Sequence, residues 1–254
     1  MTNSQLFTAV KYAYKRTLTT LLVMSLVLVA LMAYVIIAHY LAARHGMHTG
    51  SSSIGSPDFI MMIGVFVLGI VTVRDDYRLF AQNGLSRRTT FRAHIITGIL
   101  VPLTFTAAAY LLFLLGNAVG AVTNNLSVTM FYEMVYPQYL AQSPALATLA
   151  GLFMTLCWGA AVHYLGMFCS LLFYRLPRGW KIAVAIFIPF LLIFGMPIIS
   201  FTCFMQLPQL CELLIKLFLW VTEAPLNMAL AAVVIALLTE AINWFFLVRK
   251  VYIK

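Results

Sequence analysis

Apolar residues in this chain come in long unbroken runs, separated by short polar clusters. A helix needs about 20 apolar residues to cross a bilayer. Six runs meet or approach that length: about Leu18 to Ala38, Phe59 to Val73, Ala93 to Ala118, Leu146 to Tyr174, Ile182 to Phe204 and Leu226 to Val248. The second is short and comes after Pro57, a residue suited to the first turn of a helix. The first exceeds the roughly 7–15 residues of a signal-peptide core and is read as a permanent span. The pattern predicts an all-α membrane protein of six transmembrane helices, with residues 1–254 forming a single transmembrane domain.

Three segments depart from the plain alternation of span and loop. In residues 3–17, Leu6, Phe7, Val10 and Tyr14 share one helical face, while Lys11 and Lys15 lie off it. That is the pattern of an amphipathic helix at a membrane surface, leading into the first span. Residues 74–91 are dense in charge. Asp75 and Asp76 suit the first turn of a helix, Asn83-Gly84 is a stop signal, and Ser86 is a good N-cap for the third span. They predict a two-turn helix from Asp75 to Gln82, with Leu79 and Phe80 exposed at the membrane surface, then a tight turn and a new helix. The stretch Gln206 to Trp220 is too apolar for free solution and too short to cross, so it reads as an interfacial or re-entrant helix before the sixth span. The fifth span carries Pro189 and Pro197, each of which removes a backbone hydrogen bond and bends a helix. Bent helices lining a cavity and merely structural kinks fit this pattern equally.

Composition excludes most other classes. Of the 254 residues 63% are hydrophobic and 9% charged, too few charges to solvate a globular surface. The net charge of +9 would point to nucleic acid in a soluble protein, but its placement gives it another meaning. Fourteen of the sixteen Lys and Arg residues fall in the N-terminal segment, the second-to-third loop, the fourth-to-fifth loop and the C-terminus. The positive-inside rule then places both termini in the cytoplasm. The basic residues orient the protein, and no nucleic-acid partner is expected.

Candidate chemistry is sparse. Gly64 and Gly69 have P-loop spacing, but Ile70-Val71 stand in place of Lys-Ser/Thr. No H-E-x-x-H or serine-protease-like motif occurs. His39, His45 and His48 share a loop without a carboxylate or cysteine among them, so no metal site is expected. Cys157 and Cys169 fall inside the fourth span, and only Cys203 and Cys211 share one side of the membrane. One acid, Glu240, lies within a span, roughly 13 Å from its cytoplasmic end at about 1.5 Å per residue. Asn243 shares its face. An ionisable group at that depth is a functional candidate by default. A contact in a substrate pathway and a protonated carboxyl hydrogen-bonded between helices are both open. The Gly116-x-x-x-Gly120 pair allows close helix packing.

Together these parts resemble the ABC-2-type permease family, the membrane subunits of ATP-binding-cassette exporters. The resemblance rests on chain length, six spans, the amphipathic N-terminal helix, the charged segment between spans two and three, and the apolar element before span six. Its best local signal is Gln82-Asn83-Gly84-Leu85-Ser86-Arg87-Arg88-Thr89-Thr90-Phe91, similar to an N-G-x-S-R-x-x-x-F pattern in small Gram-positive permeases. The loop from Gly120 to Pro144 has no counterpart in that picture.

The resemblance implies a subunit in a bacterial plasma membrane that is not itself an enzyme and holds no cofactor. ATP and Mg would sit on separate cytoplasmic ABC ATPase subunits. A second permease chain, identical or related, and membrane lipids would be its other partners. Asp75, Asp76, Tyr77, Arg78, Leu79, Phe80, Asn83, Gly84, Ser86, Arg87 and Arg88 would form the element that docks on the ATPase. Glu240, Asn243, Pro189 and Pro197 are candidates for the translocation pathway. The cargo implied is an amphipathic peptide, a drug or a lipid-like molecule. The competing expectations are a substrate-binding membrane subunit of a vitamin importer, a proton-coupled secondary transporter using Glu240, and an immunity or sensor protein without transport.

Overall fold

The computed structural model describes residues 3–45, 52–123, 126–138, 143–177 and 208–245. The elements in chain order are α1 (Asn3–Arg44), β1 (Ser52–Ile54), α2 (Pro57–Gln82), α3 (Arg87–Thr123), β2 (Leu126–Val128), α4 (Phe131–Val135), α5 (Pro144–Arg175), α6 (Pro208–Glu223) and α7 (Pro225–Trp244). Among the described residues five helices, α1, α2, α3, α5 and α7, are long and apolar enough to cross a bilayer. Their outer faces are apolar: Leu26 on α1 is 67% exposed and Leu115 on α3 is 60% exposed. Such faces are a liability in water and are at home in hydrocarbon, which marks a membrane-embedded protein. Five of the expected apolar runs fall on these helices. The run from Ile182 to Phe204, with Pro189 and Pro197, lies outside the described residues, as does Cys203.

The helix ends obey local chemistry. Pro57, Pro144 and Pro225 occupy first turns, where a missing N–H costs nothing. At the far end of α2, Gly84 has φ 72°, the Leu85 N–H bonds the Phe80 carbonyl at 2.9 Å and the Gly84 N–H bonds that of Ala81 at 3.1 Å. This is a Schellman stop, which favours glycine because a Cβ is strained at that φ. Ser86 Oγ then accepts the Thr89 N–H at 3.2 Å and starts α3.

One expectation is corrected here. Asp75 to Gln82 is not a separate helix but the last two turns of α2. No Gly or Pro lies between Val71 and Gln82, so nothing interrupts propagation of the helix out of the apolar stretch.

Ion pairs and ring contacts place the start of α1, the end of α2, the start of α3 and the end of α7 at one end of the bundle, the polar end. Accordingly α1 and α3 run one way, and α2, α5 and α7 the other. Leu28 and Met32 of α1 pack on Met61, Val65 and Leu68 of α2 and on Val101 and Phe105 of α3. Met154, Ala161 and Met167 of α5 pack on Ala229, Ala232 and Ala236 of α7, small residues that let two helices approach closely. α2 meets α5 more intimately still. A Cβ on Gly69 would run into the His163 carbonyl oxygen and lie 3.2 Å from Gly166 Cα; one on Gly166 would run into the Phe66 carbonyl.

The opposite end is closed by two loops. β1 and β2 pair in parallel, Ser52 with Leu126, Ser53 with Ser127 and Ile54 with Val128. Gly116 makes room for the Val128 side chain, so this glycine serves the strand pair. Beside it, both carboxylate oxygens of Asp58 accept the Phe131 N–H at 3.1 Å, tying the start of α2 to α4.

α6 is a 16-residue helix, about 24 Å long at 1.5 Å per residue, with every side chain from Glu212 to Trp220 exposed. An extended Ala224 separates it from α7.

Candidate functional site

Two sets of polar residues stand out against the apolar bundle. The first is the corner where the polar ends of α1, α2 and α3 meet. Gln5, Thr8, Ala9, Tyr12 and Arg16 succeed one another at helical spacing on α1, as do Asp75, Asp76, Leu79, Phe80 and Asn83 on α2. Arg16 Nη1 binds Asp76 Oδ1 at 3.2 Å, and Nη2 reaches Asp75 Oδ2 at 3.4 Å. Asp75 is exposed, whereas Asp76 is 1% exposed. Burial pushes the Asp76 carboxyl up to about 6, against the pull of the Arg16 guanidinium. Tyr77 is buried, and burial raises its hydroxyl against the pull of neighbouring Arg87.

Leu79 and Phe80 are not exposed at the surface as the sequence suggests. Phe80 is 3% exposed, packed on Ala9, Ala13 and Ala93 and edge-on to Tyr12, with ring centroids 6.4 Å apart; Leu79 is half-buried. The alanines leave the space that the phenyl ring fills. A cleft of about 340 Å³ lies between α1 and the α2 end, lined by Gln5, Thr8, Tyr12, Leu79, Phe80 and Asn83. Asn83 also caps α2, its Nδ2 donating to the Leu79 carbonyl at 2.8 Å. Arg78, Arg87 and Arg88 are exposed. The corner therefore presents a cationic rim around a turn that is rigidly set.

The second set lies inside the bundle. Glu240 and Asn243 on α7 do come together: Asn243 Nδ2 donates to Glu240 Oε2 at 3.2 Å and to the Tyr164 carbonyl on α5 at 3.1 Å. The Tyr164 hydroxyl donates to the Ile95 carbonyl on α3 at 3.0 Å. This links three helices through hydrogen bonds that are strengthened by their apolar surroundings. On the other side of α5, His163 Nδ1 lies 3.4 Å from the Val65 carbonyl of α2. His94 of α3 is buried with Nε2 unpartnered, its ring 6.4 Å from that of Phe80. Neither histidine is among the candidates drawn from the sequence, although an ionisable residue inside an apolar run is the signal that singles out Glu240. Among the described residues no cluster of three His, Cys, Asp or Glu side chains could hold a metal ion. Cys157 and Cys169 are free thiols.

Comparison with family models, curated proteins and solved structures gives no match for this chain.

Proposed function

We propose that the chain is the permease subunit of an ATP-driven exporter of the ABC-2 type, with the polar-end corner as its contact to a separate cytoplasmic ATPase. In this reading the protein has six spans and cytoplasmic termini, and α6 lies in or re-enters the membrane without crossing it. The chain itself hydrolyses nothing. A second permease chain completes the pathway, and the cargo is an amphipathic peptide, drug or lipid-like molecule in a bacterial plasma membrane.

The observation that carries this reading is the continuity of α2. It runs from Pro57 through the apolar stretch into the charged segment and stops at the Gly84 turn. At 26 residues it is about 39 Å long by its 1.5 Å rise, longer than the roughly 30 Å hydrocarbon core. Its last turns are locked to α1 by Arg16 and by Phe80. A push on the turn is thus delivered along α2 and across to α1 and α3 without an intervening hinge. That suits a two-state rigid-body switch biased by nucleotide.

The test is to purify the chain with an ATPase encoded beside it and to reverse the exposed rim charges as Arg78→Glu, Arg87→Glu and Arg88→Glu. Loss of complex formation, with the permease still folded, supports the reading. Full binding and full substrate-stimulated ATP hydrolysis by the triple variant refutes the assigned surface. Phe80→Asp does not serve here, since it places a carboxylate in the α1–α2 contact and unfolds the corner.

A further inference from the structure

The polar groups between α5 and α7 leave a deficit of donors. Asn243 is fully buried, and its amide nitrogen already serves the Tyr164 carbonyl and Glu240 Oε2. Two acceptors remain, Glu240 Oε1 and Asn243 Oδ1, each buried and each without a partner among the described residues. Buried acceptors are rarely left in this state, and a carboxylate oxygen least of all. The described neighbouring elements do not supply the missing donors. The Tyr164 hydroxyl from α5 is engaged with Ile95. His163 turns to Val65 on α2. On α3, Phe91 meets the adjacent Trp244 edge-on with centroids 4.8 Å apart. Among the described residues no Lys or Arg forms an ion pair with Glu240.

We infer that Glu240 and Asn243 form a binding site for a small monovalent cation, a proton or an alkali metal ion, held between Glu240 Oε1 and Asn243 Oδ1. A single positive centre completes both acceptors at once and neutralises the carboxylate. The oxygen donors suit a hard cation. A divalent ion is disfavoured because Glu240 belongs to no cluster of three His, Cys, Asp or Glu side chains among the described residues. The site is independent of the ATP-driven reading, because it rests on α5 and α7 and not on the polar-end corner.

The probe is dicyclohexylcarbodiimide, an apolar reagent that modifies protonated carboxyls in membrane proteins. The full chain in detergent micelles is treated across a range of pH, and at fixed pH with sodium chloride replacing choline chloride. The adduct is located by peptide mass spectrometry, with Glu240→Gln as the blank. The inference expects Glu240 to be modified at a rate that responds to a cation. For a proton site the rate rises on acidification, by up to about tenfold per pH unit while the carboxyl is mostly ionised. For an alkali-ion site sodium slows the reaction severalfold. Asn243→Ala, which removes Oδ1, shifts the pH or sodium midpoint. A Glu240 that stays unmodified throughout, or reacts at a rate indifferent to both cations, overturns the inference without recourse to any variant.

Discussion

Replacing Gly69 by alanine should cost the bundle more than any single methyl added elsewhere on α2. Ordinary carbon contacts lie at about 3.5–4.0 Å, yet the new Cβ would sit 3.2 Å from Gly166 Cα and would overlap the His163 carbonyl oxygen. Both obstacles are backbone, so no side chain can swing away and the two helices must part. Overpacking of this kind costs typically 1–3 kcal/mol, and an immovable neighbour argues for the upper end. Against it stands the gain of alanine over glycine in a helix, about 1 kcal/mol. The net is a loss of about 2 kcal/mol, or roughly 4–8 °C in Tm for a chain of this size.

Gly64 provides the control on the same helix. There the added Cβ meets only the far end of the Met24 side chain, which can move. Gly64→Ala keeps the propensity gain and should leave Tm unchanged or slightly raised. The assay is thermal unfolding in detergent, monitored with a fluorogenic maleimide that reacts with Cys157 as it emerges from the core; Cys157 is buried in the folded state. Equal Tm values for the two variants would refute the argument from the backbone crossing.

Three further outcomes are expected. Asp76 has its folded carboxyl raised to about 6 from 3.8, so the stability it contributes is fully present below about pH 4 and is lost as pH rises through 6. Asp76→Asn should therefore flatten the Tm profile between pH 4 and 7, by an amount bounded at about 3 kcal/mol; a wild-type Tm that falls relative to the variant on acidification contradicts this. Gly84→Ala should lose about 1–2 kcal/mol from its left-handed φ alone, since nothing lies within 4 Å of the new methyl; Gly84→Asn should recover part of that loss in the same assay, because asparagine tolerates the conformation. Asp58→Ala should lower Tm through the unpaired Phe131 N–H, a part-buried donor worth up to about 1–3 kcal/mol, and an unchanged Tm would show that the α4 tie is not structural.

Much of the helical layout is legible in the sequence because a membrane leaves a coarse mark. Runs such as Leu146 to Tyr174 give a helix, and Pro57 with the Asn83-Gly84 stop gives the limits of α2. Asp75 to Gln82 reads as a separate helix only if acidic residues that suit a helix start are weighed above the absence of any breaker before them. The burial of Phe80 is not legible, since it depends on Ala9 and Ala13, which lie far away in sequence. The Arg16–Asp76 pair is hidden by a charge count that treats each basic residue as solvated. The strand pair leaves no pattern at all: three residues on each side carry too little alternation to register, and neither strand would form alone. His94 and His163 are visible as ionisable residues in apolar runs, but neither has a partner at a fixed spacing to draw attention to it.

The pairing of β1 with β2 has a mechanical consequence. Chain and hydrogen bonds together make a closed ring, running from Ser52 along α2, round the Gly84 turn, back along α3 and home to Val128. A hairpin pinned at both ends cannot splay about its turn. α2 and α3 must therefore travel as one plate, with α1 packed on both, and the plate meets α5 backbone to backbone at the glycine crossing. Among the described residues, that leaves the seam between the plate and the α5–α7 pair as the place for the bundle to part, and at Gly69 and Gly166 no side chains mesh across it.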